Sequence, residues 1–216
     1  MDDNDNIIAV TAAALKDGTL HVDVVVKNAG VWDRTRNTSG TWTAATKIDD
    51  NPSITRVAAA GLTDGTLHLE TLVPGSGIWE RVRSASGAWQ TSATQIDSNG
   101  GVTALATAAL PDGTQHIEAV VPGSGVWDRV RTAAGNWQGS THLDTNGGIT
   151  AVTAAALADG SMTVDAVVPG SGVWDRARSA SGTWQASATE IDANGSIFAV
   201  QSAGLPDGTV HLQTIV

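Results

Sequence analysis

Four times along this 216-residue chain an indole, a carboxylate and a guanidinium stand in a row: Trp32-Asp33-Arg34, Trp79-Glu80-Arg81, Trp127-Asp128-Arg129 and Trp174-Asp175-Arg176. The steps between copies are 47, 48 and 47 residues. A second acid lies nine residues before each Trp, at Asp23, Glu70, Glu118 and Asp165. An imidazole lies two residues earlier still, at His21, His68 and His116, with Thr163 in the fourth copy. A sugar ring has an apolar C–H face and a rim of hydroxyls. Binding it takes an aromatic plate with fixed donors and acceptors at its edge, which Trp, Arg and Glu or Asp supply. The same groups also suit pure structure: Arg–carboxylate pairs bridge strands, and an indole covers them.

The elements that must position these groups follow from the period. Asp-Gly recurs at Asp17, Asp64, Asp112, Asp159 and Asp207, and a fixed period in this range marks a repeat architecture. Within residues 54–97, Ile54 to Leu62 is a small, Ala-rich apolar run. Thr66 to Val73, Ile78 to Arg83 and Ala88 to Ile96 follow as further strand-like runs, separated by Gly-containing turns. Four short antiparallel strands per repeat is the blade of a β-propeller. The Ala-rich first strand is expected innermost, where room is least. A β-sandwich also has short strands and regular turns, but does not explain a four-strand period.

The expected fold is therefore all-β: a propeller of four full four-stranded antiparallel blades plus the inner hairpin of a fifth. It reads as a single domain, residues 1–216, with blades at about 2–48, 49–96, 97–143, 144–191 and a partial 192–216. A five-position ring with one thin blade is the favoured closure. The final hairpin leaves a strand edge at Thr209 to Val216, and an exposed edge invites self-association.

Pro74-Gly75-Ser76-Gly77 reads as a four-residue turn, and that count sets the register. It pairs Glu70 with Arg81 and His68 with Arg83, and likewise Asp23 with Arg34, Glu118 with Arg129 and Asp165 with Arg176. One face then shows His68, Glu70, Leu72, Trp79, Arg81 and Arg83 together. The opposite face is expected to be apolar, with Glu80 among its residues. The second indole series, Trp42, Trp89, Trp137 and Trp184, is assigned mainly to packing, with Trp89 opposite Val82. In the fifth copy the acid position holds Gln213, where no strand with an Arg follows.

The succession Asp-Gly-Thr-Leu/Val-His, Trp-Asp/Glu-Arg and Ser-Gly-Thr-Trp resembles the tectonin-like and bacterial β-propeller lectins along the entire chain. A Glu, an Arg and a Trp per pocket is similar to the fucose-binding propellers. The resemblance implies sugar binding in several pockets between blades, without metal or other cofactor. It implies carbohydrate contacts from Trp32, Arg34, Asp23 and His21; from Trp79, Arg81, Glu70 and His68; from Trp127, Arg129, Glu118 and His116; and from Trp174, Arg176 and Asp165.

Composition narrows the alternatives. The net charge of −10 argues against nucleic acid and anionic membrane surfaces, which need clustered Lys and Arg. No run approaches the about 20 apolar residues of a spanning helix. The acidic stretch Asp2 to Asn6 is unlike a secretory leader. The absence of cysteine removes disulfides and thiolate metal sites. Asp97-x-Asn99-Gly100 and its equivalents echo the start of a calcium loop but lack its later acids, so they read as local turns. His142 stands where Lys47, Gln95 and Glu190 stand in other copies, as an incidental solvated position would. Glycoside hydrolysis needs one singular pair of carboxyls, whereas here the acids recur. The expected function is a multivalent carbohydrate-binding protein with glycan partners, not an enzyme. The alternatives are a structural or protein-interaction propeller and a degenerate sialidase-like glycosidase.

Overall fold

The computed structural model describes residues 5–216. The start of the expected first blade at residue 2, and most of the acidic stretch at the N-terminus, lie outside the described residues. All regular structure among the described residues is β, and no helix is long and apolar enough to cross a membrane. The chain divides into two compact units, one ending at Gly101 and one beginning at Val102.

The first unit holds two four-stranded antiparallel sheets in simple succession. Blade 1 is β1 (Ile7–Ala14), β2 (Leu20–Val26), β3 (Gly30–Arg36) and β4 (Thr46–Asp49). Blade 2 is β5 (Arg56–Gly61), β6 (Leu67–Val73), β7 (Gly77–Arg83) and β8 (Thr94–Asp97). In the second unit, blade 3 is β9 (Ala104–Ala109), β10 (Gln115–Val121), β11 (Gly125–Arg131) and β12 (Thr141–Asp144). Blade 4 is β13 (Ala151–Ala156), β14 (Met162–Val168), β15 (Gly172–Arg178) and β16 (Thr189–Asp192). A two-stranded sheet follows, β17 (Ala199–Gly204) and β18 (Val210–Ile215). Four full blades and one inner hairpin are the architecture the period predicts.

Small residues on the first strands let successive blades approach. Strand β5 packs beside β1 in the first unit, and β13 beside both β9 and β17 in the second. The approach is closest at Gly61, where a Cβ would overlap the Ala14 carbonyl oxygen, and at Gly204 against the Ala156 carbonyl. Apolar layers fill the space between neighbours. In the first unit Val25, Val31, Ile48, Ile54, Val57, Leu69 and Val73 form one such cluster. In the second, Val120, Val126, Leu143, Ile149, Val152 and Val164 belong to its counterpart. The Asp-Gly turns carry the tight first hairpin: Asp64 accepts from the Thr66 amide at 2.9 Å and from its hydroxyl at 2.6 Å.

The turn between second and third strands differs from the four-residue count. Val73 pairs with Gly77, so only Pro74, Gly75 and Ser76 form the loop. The Ser76 amide donates to the Val73 carbonyl and Gly75 has φ +76°, as in a turn with Pro and Gly at its centre. Gly77 belongs to the strand at φ +108°, and a Cβ there would overlap the Asp97 carbonyl oxygen. The same register holds in blades 1, 3 and 4. A one-residue slip exchanges the two faces of a strand, and this one corrects the expected pairing: Glu70 faces Glu80, not Arg81, and His68 faces Val82, not Arg83. The third-to-fourth connection is also longer than expected. Trp89 bridges Arg83 rather than Val82, and regular pairing resumes only at Thr94, opposite Glu80, with a bulge beyond it at Ile78/Trp79.

Candidate functional site

With the true register, each second–third hairpin has two chemically distinct faces. In blade 2 one face carries Leu67, Leu69, Thr71, Trp79, Arg81 and Arg83. The other carries His68, Glu70, Leu72, Ile78, Glu80 and Val82. The expected single surface of imidazole, acid, indole and guanidinium does not form. The structure places Trp32 and Arg34, Trp79 and Arg81, Trp127 and Arg129, and Trp174 and Arg176 on one face of their blades. It places His21 and Asp23, His68 and Glu70, His116 and Glu118, and Asp165 on the other.

In blades 2 and 4 the indole face lies toward the preceding blade of the same unit. In the second unit a cleft of about 220 Å³ runs between β11–β12 and β14–β15. Trp174, Arg176 and Asp144 stand at it over an apolar lining that includes Val126, Ile149 and Val164. Arg176 Nη2 lies 3.2 Å from Asp144 Oδ2, and its Nη1 donates to the Leu143 carbonyl. The first unit repeats the contact: Arg81 Nη2 donates to Asp49 Oδ2 at 2.8 Å, and Nη1 donates to the Gln90 carbonyl at 2.7 Å. Asp49 and Asp144 are thus the acids of this face, and the pairing expectation missed them. Each also accepts locally, Asp49 from the Asn51 amide and Asp144 from the Asn146 amide, so the turn reading holds for one carboxylate oxygen. The available signal was an Asp at 49, 97, 144 and 192, once per period at the end of the fourth strand.

The turn serine is the second residue that sequence reasoning passed over. Trp79, Trp127 and Trp174 each donate their indole N–H to the serine three residues earlier, Ser76, Ser124 or Ser171, at 3.0–3.1 Å. Blade 1 has Ala29 at that place. In blades 1 and 3 the residue across from the Trp on the fourth strand lies over the indole. His142 stacks on Trp127 at 4.3 Å between centroids and donates to the Ser124 carbonyl, and Lys47 Nζ sits 5.8 Å from the Trp32 ring centroid. His142 is therefore a partner of the indole rather than an incidental site. In the other series Trp89 and Trp184 pack half-buried against the apolar clusters, whereas Trp42 is exposed.

The opposite face is a buried acid pair beside an imidazole. His21 Nδ1 lies 2.9 Å from Asp33, His68 Nδ1 2.7 Å from Glu80, and His116 Nδ1 2.9 Å from Asp128. Asp23, Glu70 and Glu118 are fully buried. Burial first, and then the facing carboxylate, pushes the Asp23 and Glu118 carboxyls well above their ordinary range. In blade 4, burial and the facing Asp175 push Asp165 up to about 7.

The four-stranded antiparallel sheets in succession define the chain as a β-propeller. No known family matches the chain in sequence, and no curated protein does. The chain is similar to the solved BP39L lectin from Burkholderia pseudomallei at 15% identity and a TM-score of 0.72, covering 96% of this chain and 66% of that one. It is similar to the SapL1 lectin, solved in complex with alpha methyl fucoside, at 16% identity and a TM-score of 0.66, covering 94% and 71%. It is also similar to a Hadza microbial sialidase at 12% identity and a TM-score of 0.61, covering 95% and 52%. The chain thus spans about two thirds of the length of these lectins.

Proposed function

We propose that the chain is a multivalent carbohydrate-binding protein, a lectin, with sugar pockets between adjacent blades of one repeat-built domain. The observation that carries this reading is the cleft at Trp174, Arg176 and Asp144. Its apolar lining suits the C–H face of a sugar, while the guanidinium and carboxylate offer the donors and acceptors that hydroxyls need. At about 220 Å³ it is smaller than the about 300–1,000 Å³ of drug-sized pockets, so it takes one ring. The direct contacts are Trp32 with Arg34, Trp79 with Arg81, Trp127 with Arg129, and Trp174 with Arg176. The acids come from Asp49 and Asp144 rather than from Asp23, Glu70, Glu118 or Asp165, which support the hairpin with His21, His68 and His116 from behind.

The lectin neighbours support a glycan partner, and the fucoside bound to one of them makes fucose the first probe. Weak single sites suffice, because linked sites on one glycan surface raise avidity about 10²–10⁴-fold. Binding rather than hydrolysis is the reading because the facing carboxyl pairs of blades 1 to 3 are buried, on the face opposite their indoles. Strand β18 bonds to β17 on one side only, and self-association through its open edge belongs to the same proposal.

One observation favours the scaffold reading instead. Arg81 and Arg176 already bridge blades through protein partners, as structural arginines do. A glycan array at high protein concentration separates the two. The lectin reading expects a small set of glycans sharing one terminal sugar. Silence across the array would favour the scaffold.

A further inference from the structure

The buried face of blades 2 and 3 carries a donor set that the sugar-binding reading does not use. We propose that His116, Glu118 and Asp128 form a site for a divalent transition-metal ion of the zinc type, repeated in blade 2 by His68, Glu70 and Glu80. In each cluster one ligand atom per residue lies within 4.8 Å of the other two, and every member is buried. The register builds this arrangement. Glu118 faces Asp128 directly across β10 and β11, and His116 lies two residues along the same face.

What points to an ion is the unfilled valence of the cluster. Only one contact within it is a hydrogen bond, His116 Nδ1 to Asp128 Oδ1 at 2.9 Å. Both oxygens of Glu118, with no exposed surface, and Nε2 of His116, 2% exposed, have no hydrogen-bond partner. Two carboxylates cannot both stay ionised there without a counter-charge, and a divalent cation neutralises the pair. One imidazole and two carboxylates suit zinc and its neighbours. Calcium and magnesium prefer all-oxygen shells of six or more ligands.

Blade 4 shows the other solution to the same problem. Thr163 replaces the imidazole, the Asp165 and Asp175 carboxyls bond to each other, and Ser202 bonds to Asp165. Blade 1 keeps His21 but has Asp23, one methylene shorter than Glu. Among the described residues only the clusters of blades 2 and 3 bring three donors within 4.8 Å. The expected stoichiometry is therefore two ions per chain. So enclosed a site loads as the strands pair, as structural metal sites do.

The test is the metal content of the full chain produced in zinc-supplemented culture and desalted, beside E118Q and an E70Q/E118Q double variant made the same way. Glutamine keeps the side-chain volume, and circular dichroism confirms the β fold. The proposal expects two zinc ions in the unsubstituted chain, one in E118Q and none in the double variant. It also expects a chelator, applied during unfolding and refolding, to lower the melting temperature of the unsubstituted chain, and zinc but not calcium to restore it. A zinc-free unsubstituted chain overturns the proposal whatever the variants do. So does zinc that persists at the same level in a folded double variant.

Discussion

Arg176 reaches from β15 across to Asp144 at the end of the preceding blade, 3.2 Å from guanidinium to carboxylate, while its other terminal nitrogen holds the Leu143 carbonyl. One side chain thereby ties two blades together and stands at the mouth of the cleft. Arg176→Ala leaves a partly buried carboxylate and a carbonyl without their donor, a loss of about 2–3 kcal/mol. Arg176→Lys keeps the charge but not the planar fork and should recover less than half of that. Urea unfolding of the three proteins checks the order.

The acid pair of blade 4 makes stability depend on pH. Asp165 faces Asp175 across β14 and β15, and burial together with that carboxylate raises Asp165 from 3.8 to about 7. The folded chain then holds a proton that the unfolded chain releases. Its stabilising effect is full below the ordinary carboxylate range and declines as pH rises from about 4 toward 7. Asp165→Asn should flatten this part of the profile, read as melting temperature against pH. An unchanged slope in the variant would place the titration elsewhere.

Two glycines of one turn should differ in tolerance. Gly75 has φ +76° and open space around a would-be Cβ, whereas Gly77 has φ +108° and the Asp97 carbonyl in the way. Gly75→Ala should cost about 1 kcal/mol from backbone conformation alone. Gly77→Ala should exceed about 2 kcal/mol, because strain and collision add. Asn28, with φ 60°, already occupies the Gly75 position in blade 1.

The two indole series should separate binding from stability. Trp89 packs half-buried against the cluster of Ala13, Leu15 and Leu67, so Trp89→Ala should cost about 2 kcal/mol, below the about 3–5 of a fully buried aromatic, and leave the cleft working. Trp174→Ala should do the reverse, abolishing sugar binding there with a smaller loss of stability. Parallel melts and sugar titrations on the two variants check the exchange.

The architecture was legible because a whole-blade period is insensitive to small errors in counting: the Asp-Gly turns and Trp-x-Arg runs locate every hairpin. The site was legible only in part, because its faces depend on a single residue. Gly77 could be turn or strand by composition, and its pairing with Val73 is decided by close approach to Asp97, a residue of another strand. That contact moves the acids Asp23, Glu70, Glu118 and Asp165 to the far face and leaves Trp and Arg where they were sought. Asp49 and Asp144 went unrecognised because their partners, Arg81 and Arg176, belong to the following blade. No local pattern links residues 32 apart in sequence.

The most direct measurement is tryptophan fluorescence of the chain titrated with methyl α-fucoside and a panel of other monosaccharide glycosides, beside a Trp79→Ala/Trp174→Ala double variant. The account predicts a saturable change for at least one sugar, strongly reduced in the folded double variant. No response to any sugar, or an undiminished one without those two indoles, would contradict it.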